Sequence, residues 1–161
     1  MHPETADPAA VPPLRSEAPR GYYRLRGVAV LLLCAGVLVI AALLVPSRGG
    51  YGTHEQLGMP ACAFRVRTGL PCPSCGLTTS LSAVMHGQWR LAWHAQPFGY
   101  ALAAGLATLG IVGGLELGSD RSLLHRLRPG LWWLVAGLIG LMAGWGIVLL
   151  TGWLDGSLPA H

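Results

Sequence analysis

Three apolar runs, each long enough to cross a bilayer, constrain this chain more than any other feature. Gly27 to Val45 reads GVAVLLLCAGVLVIAALLV, nineteen residues without a charge. At about 1.5 Å per residue it spans about 28 Å, close to the thickness of a hydrocarbon core. A second run extends from Pro97 to about Leu117 and a third from about Leu131 to Leu150. Proline suits the opening of the second, because its missing N–H would be unpaired at a first helical position anyway. Composition agrees: charged residues make up only 11% of the 161 and apolar residues 52%, where a soluble domain carries about a quarter charged. A cleaved secretory signal is the rival reading of the first run. The long acid-containing leader, the extended apolar stretch and the missing small-x-small site favour an uncleaved helix.

The flanks of the runs set topology. Residues 1–20 hold Pro3, Pro8, Pro12, Pro13 and Pro19 with no apolar period, the pattern of a disordered tail. Gly21 to Arg26 follows as an interfacial anchor, with Tyr22 and Tyr23 at headgroup level. Residues 1–26 are thus tail and juxtamembrane anchor, and residues 27–161 form one membrane domain. All eleven basic residues are arginine. Arg15, Arg20, Arg24 and Arg26 precede the first run, and Arg121, Arg126 and Arg128 lie between the second and third. Both segments fall on one side of a three-span protein, which the positive-inside rule makes cytoplasmic. The C-terminus and the central segment, residues 46–96, then lie outside the cytoplasm. The net charge of +4 does not imply nucleic acid, since the arginines flank apolar runs and form no continuous basic face. Glu116 reads as an interfacial charge near Arg121.

Small residues mark one face of each later span: Gly110, Gly114 and Gly118 with Ala103 and Ala107, then Gly137, Gly140 and Gly144. Such ridges let membrane helices approach closely. They serve packing within the chain, a homo-oligomer or another membrane protein, and one of them is expected to receive a short helical hairpin over residues 77–95. Cys34 within the first run reads as a buried, inert thiol.

The central segment is where function is expected, since loops on a rigid scaffold carry it. Pro46 to Leu70 is punctuated by glycine and proline and holds His54, Cys62, Arg65 and Arg67. Pro71-Cys72-Pro73-Ser74-Cys75-Gly76-Leu77-Thr78-Thr79 comes next. Leu77 to His86 then reads as a short helix, apolar along Leu77, Leu81, Val84 and Met85, with Thr79, Ser82 and His86 along another side. Gly87 interrupts, and Gln88 to Ala95 forms a second short helix with Trp89 and Trp93 one turn apart. Neither helix is long enough to span a bilayer. The pair is an interfacial or re-entrant hairpin, which must bury its turn against the spans because lipid satisfies no backbone group. The expected fold is an all-α membrane protein of three transmembrane helices plus this hairpin.

Cys62, Cys72 and Cys75 stand together in an extracytoplasmic segment, and three readings of them remain open. A disulfide from Cys62 to Cys72 or Cys75 would close a short loop and stabilise by about 2–3 kcal/mol, leaving an odd thiol. A metal site is the second, because Cys-Pro-x-Cys-Gly has the form of a zinc knuckle. Cys62 would be a third ligand. His86 is a poor fourth, about 16 Å from Cys75 along a straight helix, whereas the hairpin would bring His94 back and His54 is free in a loop. Thiol redox is the third, with Cys75 at a helix N-terminus where the dipole lowers its pKa; no thioredoxin-like βαβ pattern accompanies it. Paired carboxylates, phosphate loops and serine elbows are absent from the sequence, which disfavours hydrolase or ATPase chemistry.

The chain resembles a family of small bacterial membrane proteins, domain of unknown function 2752. The resemblance rests on Cys62, Phe64, Thr68, Gly69, Pro71, Cys72, Pro73, Cys75, Gly76, Leu77 and Thr78, and downstream on His86, Gly87, Ala92 and Pro97, over about residues 60–115. Thr79 stands where the family has arginine, Ser80 where it has alanine, and Gln96 where it has asparagine. The resemblance implies a multi-pass protein of a bacterial inner membrane and brings no activity with it. The leading expectation is a non-enzymatic membrane component that binds or assembles partners in the lipid bilayer, with a structural cysteine turn. The alternative is a thiol-redox or metal-handling protein, with zinc or iron at Cys62, Cys72, Cys75 and His94.

Overall fold

The computed structural model describes residues 20–118 and 130–156. Among these residues the secondary structure is helical: α1 (Arg20–Leu43), a 3-10 turn (Thr53–Leu57), α2 (Ala63–Thr68), α3 (Leu77–Met85), α4 (Trp89–Ala95), α5 (Phe98–Gly118) and α6 (Leu131–Leu154). Three of them, α1, α5 and α6, are long and apolar enough to cross a membrane. The expected tail and the arginines at 121, 126 and 128 lie outside the described residues.

The first span differs from its expected limits at both ends. The anchor residues join α1 as one helix from Arg20, and the helix stops at Leu43 instead of Val45. Pro46 explains the stop, since it lacks an N–H and disfavours helical backbone in the residue before it. The carbonyls freed there are claimed by distant side chains. The Ser82 hydroxyl donates to Leu44 O at 2.6 Å. The Gln56 amide donates to Val45 O at 2.7 Å and accepts from Val45 N at 3.1 Å.

Helices α1 and α5 cross closely on glycine. A Cβ placed on Gly27 would stand 2.8 Å from Gly113 O, and one on Gly110 would stand 3.4 Å from Cys34 Cβ. The ridge in use is therefore Gly110–Gly113; Gly114 lies at its edge and Gly118 faces open space. Cys34 is buried in this seam, as an inert packing thiol would be. At the same end, Arg26 reaches across to Glu116, which is fully buried, with N–O 2.8 Å. The partner found for Glu116 is thus an arginine of the first span.

The short helices form the expected hairpin. Gly87 takes a positive φ of 67° between them, and Ala92 and Ala95 of α4 are fully buried. Helix α3 is not divided into an apolar and a polar side: Thr79, Ser80, Leu81, Ser82 and Ala83 are all buried in succession. Its hydroxyls survive burial because each has a partner. Ser80 donates to Ala92 O at 2.9 Å, Ser82 to Leu44 O, and Thr79 pairs with the buried Thr53 hydroxyl at 2.8 Å. Trp89 and Trp93 stay exposed and lie against Tyr100 at 6.0 and 6.3 Å between ring centres.

The third span docks through the glycines expected to receive another element. A Cβ on Gly140 would meet the Phe98 ring at 2.8 Å, and one on Gly144 would meet Gln96 Oε1 at 2.8 Å. What they receive is the α4–α5 junction, while Gly137 faces open space.

Candidate functional site

Two short pieces of backbone deliver the three thiols. Cys62 caps the N-terminus of α2, its carbonyl accepting from Val66 N at 3.0 Å. Gly69 ends α2, and the chain enters the Pro71–Gly76 turn. That turn closes where Cys75 N donates to Cys72 O at 2.9 Å, which brings the two side chains together. Gly76 then takes φ +84°. A Cβ there would collide with Ala95 O, so only glycine lets the turn lie against the end of α4.

Outer contacts pin the turn. Pro71 is fully buried and its carbonyl accepts from Trp145 Nε1 of α6 at 2.8 Å. Gln96, also fully buried, donates to Pro73 O at 2.9 Å. Gln96 thus makes a structural contact, and Thr79 is a buried packing residue.

The result is a cluster in which the sulfurs of Cys62, Cys72 and Cys75 all lie within 4.8 Å of one another. Cys72 Sγ is 3.0 Å from Cys75 Sγ and 3.3 Å from the Ser74 hydroxyl. All three are free, half-buried thiols. A zinc–sulfur bond of about 2.3 Å puts the sulfurs of a tetrahedral site about 3.8 Å apart, inside the range seen here.

The thiols do not ionise alike. Burial pushes Cys72 up, but hydrogen bonds from Cys75, Ser74 and Cys62 outweigh it and bring the thiol down to about 7. Burial likewise pushes Cys75 up, and its hydrogen bonds to Cys72 and Cys62 carry it to about 12. This reverses the expectation from the helix terminus, which made Cys75 the acidic thiol. A cluster this tight holds its first negative charge on one sulfur while the others donate to it, and Cys72 has the Ser74 donor besides.

A cavity of about 240 Å³ opens beside the cluster, lined by Tyr51, His54, Glu55, Cys62, Arg65 and Cys75 among others. The Arg65 guanidinium lies 4.5 Å over the Tyr51 ring. His94 lines a neighbouring cavity with Arg48, Arg65 and Asp155 and is not in the three-sulfur group. His86 bonds back to its own helix through Ser82 O at 2.9 Å.

Residues 62–110 match the family model described as Protein of unknown function (DUF2752). The resemblance read from the cysteine motif is shown over that segment. No curated protein and no solved structure matches the chain. The DUF2752 segment holds all three clustered thiols and the hairpin, while Tyr51 and Trp145 come from outside it. Sequence reasoning missed these two. A tryptophan within an apolar span is ordinary, and only the adjacent Gly144 hinted that something packs closely there.

Proposed function

We propose that this chain is a multi-pass membrane protein that handles a thiophilic metal ion, zinc foremost, at Cys62, Cys72 and Cys75. One observation carries the reading: three sulfurs converge, all within 4.8 Å of one another. A disulfide uses two sulfurs, whereas thiolate coordination rewards a third. Closed structural zinc sites take four protein ligands, so three beside a cavity suit an ion that is exchanged or shared with a further ligand. Binding would release protons, and Cys75, with its thiol near 12, would need the charge of the ion to ionise at neutral pH. The protein remains a non-enzymatic membrane component in this reading, with ion binding as its role. His94 serves the neighbouring cavity.

The test is metal content and thiol counting on the full chain in detergent. One ion per chain is expected, lost in Cys62→Ser, Cys72→Ser and Cys75→Ser, with the thiols shielded from alkylation until a chelator is added. Shielding that yields only to a reductant, with no metal present, overturns the proposal in favour of a disulfide.

The split between Cys72 near 7 and Cys75 near 12 favours one further reading, thiol–disulfide exchange. Cys72 would attack an external disulfide, and Cys75 would displace the mixed disulfide, giving a Cys72–Cys75 bond and two reduced thiols on the partner. Reversible formation of that bond in metal-free protein would support it.

The family resemblance favours a bacterial inner membrane, and the arginine distribution favours a cytoplasmic N-terminus. The Arg26–Glu116 pair supports it, because it places the arginine-bearing ends of the first two spans side by side. A reporter fused after Leu158 is expected to read extracytoplasmic, and a cytoplasmic signal would reverse the orientation.

A further inference from the structure

We infer that the cavity beside the cluster takes a small thiol carboxylate, its sulfur completing the coordination of the ion and its carboxylate seated on Arg65. The inference rests on the metal reading above and names what the site exchanges with.

The cavity joins two chemistries. Its lining holds the sulfur-bearing Cys62 and Cys75 and the cationic Arg65. Cys62 caps α2 and Arg65 lies within that helix, and both line the cavity. Tyr51 lines the same cavity. Its ring carries the Arg65 guanidinium at 4.5 Å, and its hydroxyl is pushed up by burial and, after an opposing effect of Arg65, by nearby Cys75. The guanidinium is thus placed by stacking and still has its hydrogen-bonding fork free. Among the described residues it makes no ion pair, although Glu55 lines the same cavity.

Size and charge narrow the occupant. A cavity of about 240 Å³ has room for about eight waters at 30 Å³ each, or one molecule the size of an amino acid. An ion on three thiolates prefers sulfur as its fourth donor over water or hydroxyl. A guanidinium grips a carboxylate through two parallel hydrogen bonds. One negative charge suits the cavity better than a phosphate, because Glu55 stands on the same wall. When the ligand binds, its S–H gives its proton to solvent, a metal–sulfur bond forms, and any water at that position leaves. No electron moves.

The experiment uses full-chain protein in detergent loaded with Co²⁺, whose thiolate charge-transfer absorption reports each sulfur bound. Mercaptopropionate is titrated against its neutral analogue mercaptopropanol. The charged thiol is expected to bind more tightly by about tenfold, the scale of one charge-assisted contact, and Arg65→Ala should erase that preference while keeping the cobalt spectrum. Arg65→Gln serves the same purpose should Arg65→Ala lose the spectrum. A spectrum indifferent to mercaptopropionate, or an equal preference in the variant, leaves the three-thiolate centre standing and overturns this inference alone. Loss of the cobalt spectrum in Glu55→Gln or His54→Ala would show that the protein supplies its own fourth ligand, which likewise spares the centre and overturns the inference. Wild-type protein with no cobalt spectrum overturns the centre itself and this use of the cavity with it.

Discussion

Cys72 holds the first negative charge of the cluster, and its neighbours decide how readily. With its thiol near 7 and Cys75 near 12, metal-free protein should alkylate at Cys72 and not at Cys75 between these limits. Cys72 is protonated and slow below about pH 7, and reactive above it. Its rate, followed by mass spectrometry, should be half-maximal near that pH. Ser74→Ala removes a donor to the thiolate and should move the midpoint upward, since less hydrogen bonding leaves burial to dominate. Cys75 should stay unmodified throughout. Equal reactivity of the two thiols at neutral pH would contradict the arrangement.

At the scale of elements, the hairpin and third span show what the sequence could and could not say. The spans were legible because an uncharged apolar run of bilayer length has few alternatives. The cysteines were legible as a group because two share one tight turn, and the hairpin because Gly87 breaks two short helical stretches. The character of α3 was not legible. Thr79 and Ser82 looked like a polar side, yet they are buried, since their partners, the Thr53 hydroxyl and the Leu44 carbonyl, come from outside the helix. Spacing rules see only a residue's own helix, and that is why Tyr51 and Trp145 also escaped notice. Trp145 gives a direct test at this scale. Trp145→Phe keeps the packing but leaves the buried Pro71 carbonyl without its donor, which should cost about 1–3 kcal/mol. Thermal unfolding in detergent measures the loss, and loosening of the turn should appear as faster alkylation of Cys72.

Across the whole molecule, the two seams differ. The α1–α5 seam is closed by glycine contacts and, at one end, by the Arg26–Glu116 pair. Removing Arg26 should cost stability, because the fully buried Glu116 would lose a charged partner. The third span joins through a few fitted contacts, Phe98 on Gly140, Gln96 on Gly144 and Trp145 on Pro71. That last contact links residues 74 positions apart. It therefore also fixes an order of events during synthesis. The cysteine turn enters the membrane environment long before the indole that holds it exists, so the site stays unfinished until the last span inserts. A chain ending at Gly118 should present Cys62, Cys72 and Cys75 to alkylating reagent with no protection by metal, and co-expressed residues 130–156 should restore that protection. Biogenesis would then keep the thiols from taking up an ion until the whole protein is in place.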